Sequence, residues 1–185
     1  MPINTLRYAC VAVLFPCMAA MAAGPAPAQV EPPLVVAADQ APAMPYDAGA
    51  LRVLVPSTRT GGAYALLELQ EQAPYRTPAH VHPGLDESFY VLEGTLALEM
   101  GRSHVLPAGS WVHIPRGTVH AQGSAGDGVV RLLTRLSPGG FEQFFLDRVE
   151  LARTIGREHP DFQQRMLEIV RRYPQWLGPA PSTEE

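Results

Sequence analysis

Lysine is missing from this sequence altogether. All 14 basic residues are arginine, and against 18 acidic residues they leave a formal net charge of −4. They form no basic run, so the chain lacks the electrostatic footprint from which nucleic-acid binding draws its affinity, and no nucleic-acid partner is expected. Cysteine is nearly as scarce. The only two, Cys10 and Cys17, stand close to the start of the chain, which excludes a disulfide framework for everything that follows. An uninterrupted apolar run of about 20 residues, the length of a membrane-spanning helix, is also absent. Charged residues are sparse, 17% against 46% hydrophobic, a balance that excludes a disordered polyelectrolyte.

What is present begins with an export signature. Arg7 precedes an apolar stretch from Tyr8 to Phe15 and then small residues through Ala23, the layout of a secretory signal. Ala20-Met21-Ala22 satisfies the small-x-small rule for cleavage after Ala22, and Ala26-Pro27-Ala28 before Gln29 is a second candidate. Pro16 interrupts the apolar stretch and argues against an anchor helix. The mature protein is therefore expected to be exported, periplasmic or secreted, free of thiols and without stable membrane association after cleavage. A length of 185 residues suits one domain with appended segments. Residues 1–22 are assigned to the signal peptide and 23–48, rich in Ala and Pro, to a flexible linker.

From Leu51 to Leu136 short apolar runs alternate with turn residues. Val53 to Val55, Tyr64 to Leu69, Ala79 to His82, Ser88 to Leu92, Thr95 to Met100, Trp111 to Ile114 and Val129 to Leu136 are all of strand length, with Gly- and Pro-rich breaks between them. Many short strands at close spacing predict an all-β antiparallel barrel or sandwich over 49–138. No internal repeat is visible, which argues for a single barrel. After Pro138-Gly139-Gly140 the period changes. Phe141, Phe144, Phe145, Arg148, Val149, Ala152 and Ile155, then Phe162, Met166, Ile169, Val170 and Tyr173, follow helical spacing. Two helices over 139–178 are expected to pack on the outside of the barrel, with a tail over 179–185 that frays.

Chemistry concentrates in two histidine groups. His80 and His82 share one face of a strand, about 6.6 Å apart at roughly 3.3 Å per residue, a separation suited to two neighbouring ligands of one ion. A carboxylate follows beyond the turn at Pro83-Gly84, Glu87 or its neighbour Asp86, and His120 supplies a fourth donor after Ile114-Pro115-Arg116-Gly117-Thr118. Three imidazoles and one carboxylate suit a divalent transition metal, Fe, Mn, Ni, Cu, Co or Zn, and leave an octahedral ion open positions. His104, in the turn after Gly101, and His113, facing away from Val112 and Ile114, read as surface or interface residues, and His159 as a helix-start residue. Phe89 and Val91, sharing the parity of Glu87, are expected either as lining beside the metal or as ordinary barrel packing. Gln122 should point inward, and Arg131 and Arg135 toward solvent.

The spacing His80-x-His82-x4-Glu87-x6-Gly94 and Gly109-x5-Pro115-x-Gly117-x2-His120 resembles the two conserved motifs of the cupin superfamily, over about residues 51–137. Pro74 and Ser124 depart from the pattern at turn positions outside the ligand set. Phe141 to Phe145 and Tyr173 to Pro179 further resemble the C-terminal part of small quercetin-dioxygenase-like cupins. The resemblance implies a double-stranded β-helix, or jelly roll, and selects Glu87 over Asp86, giving a metal set of His80, His82, Glu87 and His120. It also implies a metal-dependent dioxygenase acting on a small phenolic or enolic substrate, with Glu87 as the catalytic proton carrier. Alternatives are a metal-dependent isomerase or decarboxylase, or a non-catalytic periplasmic module binding a small molecule or metal. Outward-facing Tyr90 and Leu92 suggest a homodimer.

Overall fold

A computed structural model of the chain describes residues 32–37 and 39–180; the expected signal peptide lies outside the described residues. Eleven strands and two helices follow in order: β1 (Met44–Tyr46), β2 (Gly49–Val55), β3 (Ala65–Gln72), β4 (His80–Val81), β5 (Asp86–Glu93), β6 (Thr95–Met100), β7 (Arg102–Pro107), β8 (Trp111–Ile114), β9 (Ala121–Ser124), β10 (Val129–Ser137), α1 (Glu142–Ile155), α2 (Phe162–Val170) and β11 (Gly178–Pro179). The strands pair antiparallel into a six-stranded sheet, β1-β2-β3-β10-β5-β8, a three-stranded sheet, β7-β6-β9, and the short pair β11-β4. This is the expected antiparallel double-stranded β-helix with two C-terminal helices. None of the helices among the described residues is long and apolar enough to cross a membrane.

Alternation explains which strands sit in the middle. On β10 every second residue, Val130, Leu132, Thr134 and Leu136, is buried, while Arg131 points outward to Glu68 on β3 and Glu93 on β5. One face of the large sheet thus meets the core and the other meets water. Leu51, Leu67, Leu69, Phe89, Val91, Leu96, Leu98, Leu132 and Leu136, drawn from both sheets, make one contiguous core.

Three expectations change. β1 lies within the stretch expected to be linker, and its Tyr46 is buried against Phe145. β11 begins where fraying was expected, paired through Gly178 with Val81 and through Pro179 with His80. Neither segment has the length or period of a strand in isolation, because each is ordered by its partner. The helices also do more than cover the outside. Glu142 anchors the start of α1 by accepting hydrogen bonds from the backbone N–H groups of Ser57 (2.8 Å) and Gly140 (2.7 Å), and this sets Phe141, Phe144 and Phe145 into the barrel mouth.

Gly94, between β5 and β6, has φ +74°, and a Cβ there would lie 2.1 Å from the Val129 carbonyl oxygen. Gly101, between β6 and β7, has φ +67° but nothing within 4 Å. Gly101→Ala is therefore expected to cost only the left-handed strain, about 1 kcal/mol, and Gly94→Ala more than about 2 kcal/mol because backbone must also move. Urea unfolding checks this, and equal losses would show that the Val129 contact does not matter.

Candidate metal centre

β4 is only two residues long, yet it is held on both edges. On one side His80 and His120 exchange backbone hydrogen bonds (3.0 and 2.9 Å), and the Gly117 N–H reaches the His82 carbonyl (2.8 Å). On the other side lies β11. The two histidine groups, forty residues apart, are thus aligned by main-chain bonds before any side chain is considered. β5 then delivers Glu87 opposite Ile114 of β8.

The donor atoms of His80, His82, Glu87 and His120 all lie within 4.8 Å of one another. His82, Glu87 and His120 are buried, while His80 is half-buried at the edge of a cavity. Each imidazole is oriented from behind: Nδ1 of His80 faces the Pro78 carbonyl (2.8 Å), that of His82 the Trp176 carbonyl (2.6 Å) and that of His120 the Thr118 carbonyl (3.0 Å). A carbonyl oxygen only accepts, so each Nδ1 carries the proton and donates it. In the neutral rings Nε2 then presents a lone pair, and a hydrogen bond donated by the far nitrogen is what holds a metal-ligating imidazole in place.

Glu87 Oε2 lies 3.0 Å from His120 Nε2 and 3.3 Å from His82 Nε2. Carboxylate and imidazole lone pairs pointed at one another repel unless a proton or a cation stands between them. Burial would push the Glu87 carboxyl up, but the hydrogen bonds and charge of His120 and His82 outweigh it and hold the group well below the usual carboxylate range. His82 is burdened by burial too, yet the Glu87 bond and charge raise it. His80 is pushed down to about 4, by burial first and by the charge of His120 second, so at neutral pH it is an uncharged donor. An ionised carboxylate with imidazoles whose Nε2 atoms converge is a donor set that fits a divalent transition metal. His80, His82, Glu87 and His120 would hold it.

Asp86 is not part of this set. Alternation turns it outward, where it accepts from the Arg116 backbone N–H (2.9 Å) and guanidinium (3.1 Å). His104 lies on β7, and His113 sits against Ser88 Oγ (3.1 Å). Phe89 and Val91, fully buried, belong to the core and not to the cavity wall; of the two readings left open for them, barrel packing holds. Gln122 does line the cavity.

The cavity has a volume of about 570 Å³, and His80, His82 and Glu87 stand on its wall. That is room for a small organic molecule. Phe141, Phe144, Phe145, Leu167, Val170 and Leu177 make much of the rest apolar, with the edge of His82 against Phe141 (ring centroids 5.2 Å apart). Asp47 accepts from Arg148 (2.7 and 2.8 Å), Arg157 (3.1 Å) and the Tyr75 hydroxyl (2.8 Å), while Arg148 also donates to the Tyr46 hydroxyl. Tyr46, Tyr75 and Arg148 carry this polar network onto the cavity wall. Sequence reasoning missed these residues and Glu71, which also lines the cavity. Two left a trace in the sequence: Arg148 as a member of the helical stripe of α1, and Glu71 as the fourth member of the alternating series Ala65, Leu67, Leu69.

His80→Ala or His120→Ala removes a donor, and either variant is expected to retain less than about one-tenth of the wild-type metal after dialysis, whereas His104→Ala should retain all of it. Elemental analysis of the purified variants reads this directly. Full occupancy in the His80 and His120 variants would refute the site.

No curated protein matches the chain. Residues 66–135 match the family model for the cupin domain. Among solved structures the chain is similar to the polyketide cyclase RemF from Streptomyces resistomycificus, at 23% identity over 56% of this chain and 78% of that one, TM-score 0.50. It is also similar to KdgF from Halomonas sp., at 14% identity over 58% and 97%, TM-score 0.51. A third likeness is to an RmlC-like cupin protein from Ralstonia eutropha, at 19% identity over 56% and 68%, TM-score 0.50. At these identities the likeness is one of fold. Residues 66–135 thus match the cupin domain, and the fold around them is similar to that of solved cupin structures.

Proposed function

We propose that this protein binds one divalent transition metal and acts as an oxidoreductase, a dioxygenase for a small phenolic or enolic compound. The observation that carries the reading is the convergence of three oriented Nε2 atoms and the Glu87 carboxylate, with His80, His82 and Glu87 on the wall of a largely apolar cavity and His120 buried behind them. A metal bound there would supply Lewis acidity, lowering the pKa of a coordinated hydroxyl and giving oxygen a place beside it. The chain's own part is to bind, orient and exclude water. His80, half-buried, stands at the cavity edge of the donor set, and Phe141 and Phe144 offer flat apolar surface to a conjugated ring. Glu87, ionised and buried, takes the proton that the substrate hydroxyl gives up.

Glu87→Gln is expected to lower oxygen uptake on phenolic or dicarbonyl substrates by about 100-fold or more while metal content falls far less, since an amide oxygen can still ligate but cannot accept a proton. Parallel losses of metal and turnover would reduce Glu87 to a ligand. Metal-loaded wild type that consumes no oxygen with any such substrate would favour the non-catalytic binding module, and turnover without oxygen the isomerase or decarboxylase.

Export and self-association complete the proposal. Arg7 and the apolar stretch behind it support export to the periplasm or beyond, and Tyr90, Leu92 and Trp111, large apolar residues left exposed on the barrel, support a homodimer. Native mass spectrometry of the exported protein is expected to give chains that begin between Ala23 and Gln29, in pairs. Retained Cys10 and Cys17 would exclude the cleavage, and single chains at micromolar concentration the dimer.

A further inference from the structure

β3 alternates strictly, with Ala65, Leu67 and Leu69 buried on its inner face, and the next residue of that series is Glu71, a carboxyl only 4% exposed. A carboxyl in an apolar row costs stability unless every oxygen finds a partner. Here one does not. Oε1 meets the Gln122 Nε2 at 3.5 Å, while Oε2 is buried with no hydrogen-bond partner. Gln122 is itself oriented by Thr77, whose hydroxyl donates to its side-chain oxygen (3.0 Å), so its amide nitrogen is turned toward Glu71. Glu71, Gln122 and Thr77 line the same cavity as His80, His82 and Glu87. Of the other polar groups there, Asp47, between β1 and β2, is committed to Arg148 of α1 and to Tyr75, and the Tyr46 hydroxyl to Arg148, whose Nε is buried without a partner; Arg171, just after α2, also lines the cavity.

We propose that Glu71 and Gln122 form a second polar subsite, which takes a carbonyl or hydroxyl oxygen of a substrate whose chelating oxygens lie against His80, His82, Glu87 and His120. The inference rests on the metal-centred function proposed above and narrows its substrate class to small, mainly apolar compounds with oxygen at both ends. Burial pushes the Glu71 carboxyl up to about 7, the Gln122 bond opposing and the charges of Glu87 and Asp47 adding to the rise. Below that pH its free oxygen carries a proton and donates it to a carbonyl. Glu71 is thus a specificity-determining residue that holds the far end of the ligand.

Calorimetry on the metal-loaded protein at about pH 6, with 3,4-dihydroxyacetophenone and 4-ethylcatechol as probes, isolates this contact, because the two share a catechol and differ in the carbonyl. Wild type is expected to bind the ketone about tenfold more tightly, the worth of one hydrogen bond. Glu71→Leu should lose that preference while keeping its metal and its affinity for 4-ethylcatechol. Glu71→Gln, which retains a donor, should keep the preference at about pH 6 and at about pH 8, whereas the wild-type preference declines between them as the carboxyl ionises. An equal preference in wild type and Glu71→Leu would overturn the subsite alone. Failure of wild type to bind either catechol would overturn the metal-centred function and the subsite with it.

Metal-free protein supplies a readout independent of both. The folded carboxyl titrates near 7 and the unfolded one near its ordinary 4.5, so the unfolded chain releases the proton first. The contribution of Glu71 to stability therefore falls as pH rises through that window. Wild-type Tm is expected to drop more steeply there than that of Glu71→Gln, which should be at least as stable at about pH 8. A Glu71→Gln protein less stable at every pH would mark the carboxyl as structural and overturn the proposal.

Discussion

One buried carboxylate governs the arrangement of this protein. Glu87 is almost wholly removed from water, and an isolated carboxylate in that position would cost several kcal/mol. It is tolerated because His82 and His120 stand within about hydrogen-bonding distance of it, and they can stand there only because their far nitrogens are tied to the Trp176 and Thr118 carbonyls. Take away those carbonyls and the rings could turn. Both are backbone groups of segments outside the regular strands of the barrel sheets, so the precision of the site depends on how loops are docked and not on side-chain packing alone.

The barrel supplies that docking through its weakest element. β4 is two residues long and would not persist as a strand by itself. Its reciprocal bonds to His120 on one edge and to β11 on the other make it the middle of a three-stranded contact. The segment that brings β11 also brings Trp176, whose carbonyl orients His82 and whose ring packs where a Cβ on Gly84 would come within 3.2 Å. The C-terminal segment after α2 is therefore part of the site, as much as the two histidine groups are.

The cavity divides its labour between a polar pole and an apolar wall. The barrel side contributes the carboxylates and imidazoles, and the helical segment contributes Phe141, Phe144 and Phe145 together with Arg148 and Arg171. Such a wall keeps water from competing for the donors and strengthens every electrostatic contact inside it. Glu71 is the exception to the division, a carboxyl in the middle of an apolar series with one oxygen left without a partner. Arg148, on the same wall, gives both terminal guanidinium nitrogens to Asp47 and the Tyr46 hydroxyl and lies over the Tyr46 and Phe144 rings (4.7 and 5.2 Å), which makes it a fastening between α1 and the β1–β2 turn.

Period and spacing along the chain carried a good part of this arrangement. Alternation put His80 and His82 on one face and separated Glu87 from Asp86, the turn after His82 brought the carboxylate back, and the Gly109 to His120 segment returned a third imidazole, so the four donors were legible in advance, as were the strand count's general run and the two helices. Tertiary structure alone decided the rest. Phe89 and Val91 share the parity of Glu87, but the barrel's curvature places them in the core. Met44–Tyr46 and Gly178–Pro179 are strands only because Gly49–Leu51 and His80–Val81 offer them an edge. The Trp176 carbonyl behind His82, the phenylalanine wall and the company of Glu71 with Gln122 join residues 50 or more positions apart. Local periodicity records which way a side chain points along its own element; which distant backbone or side chain it meets there is set by how the elements close on one another.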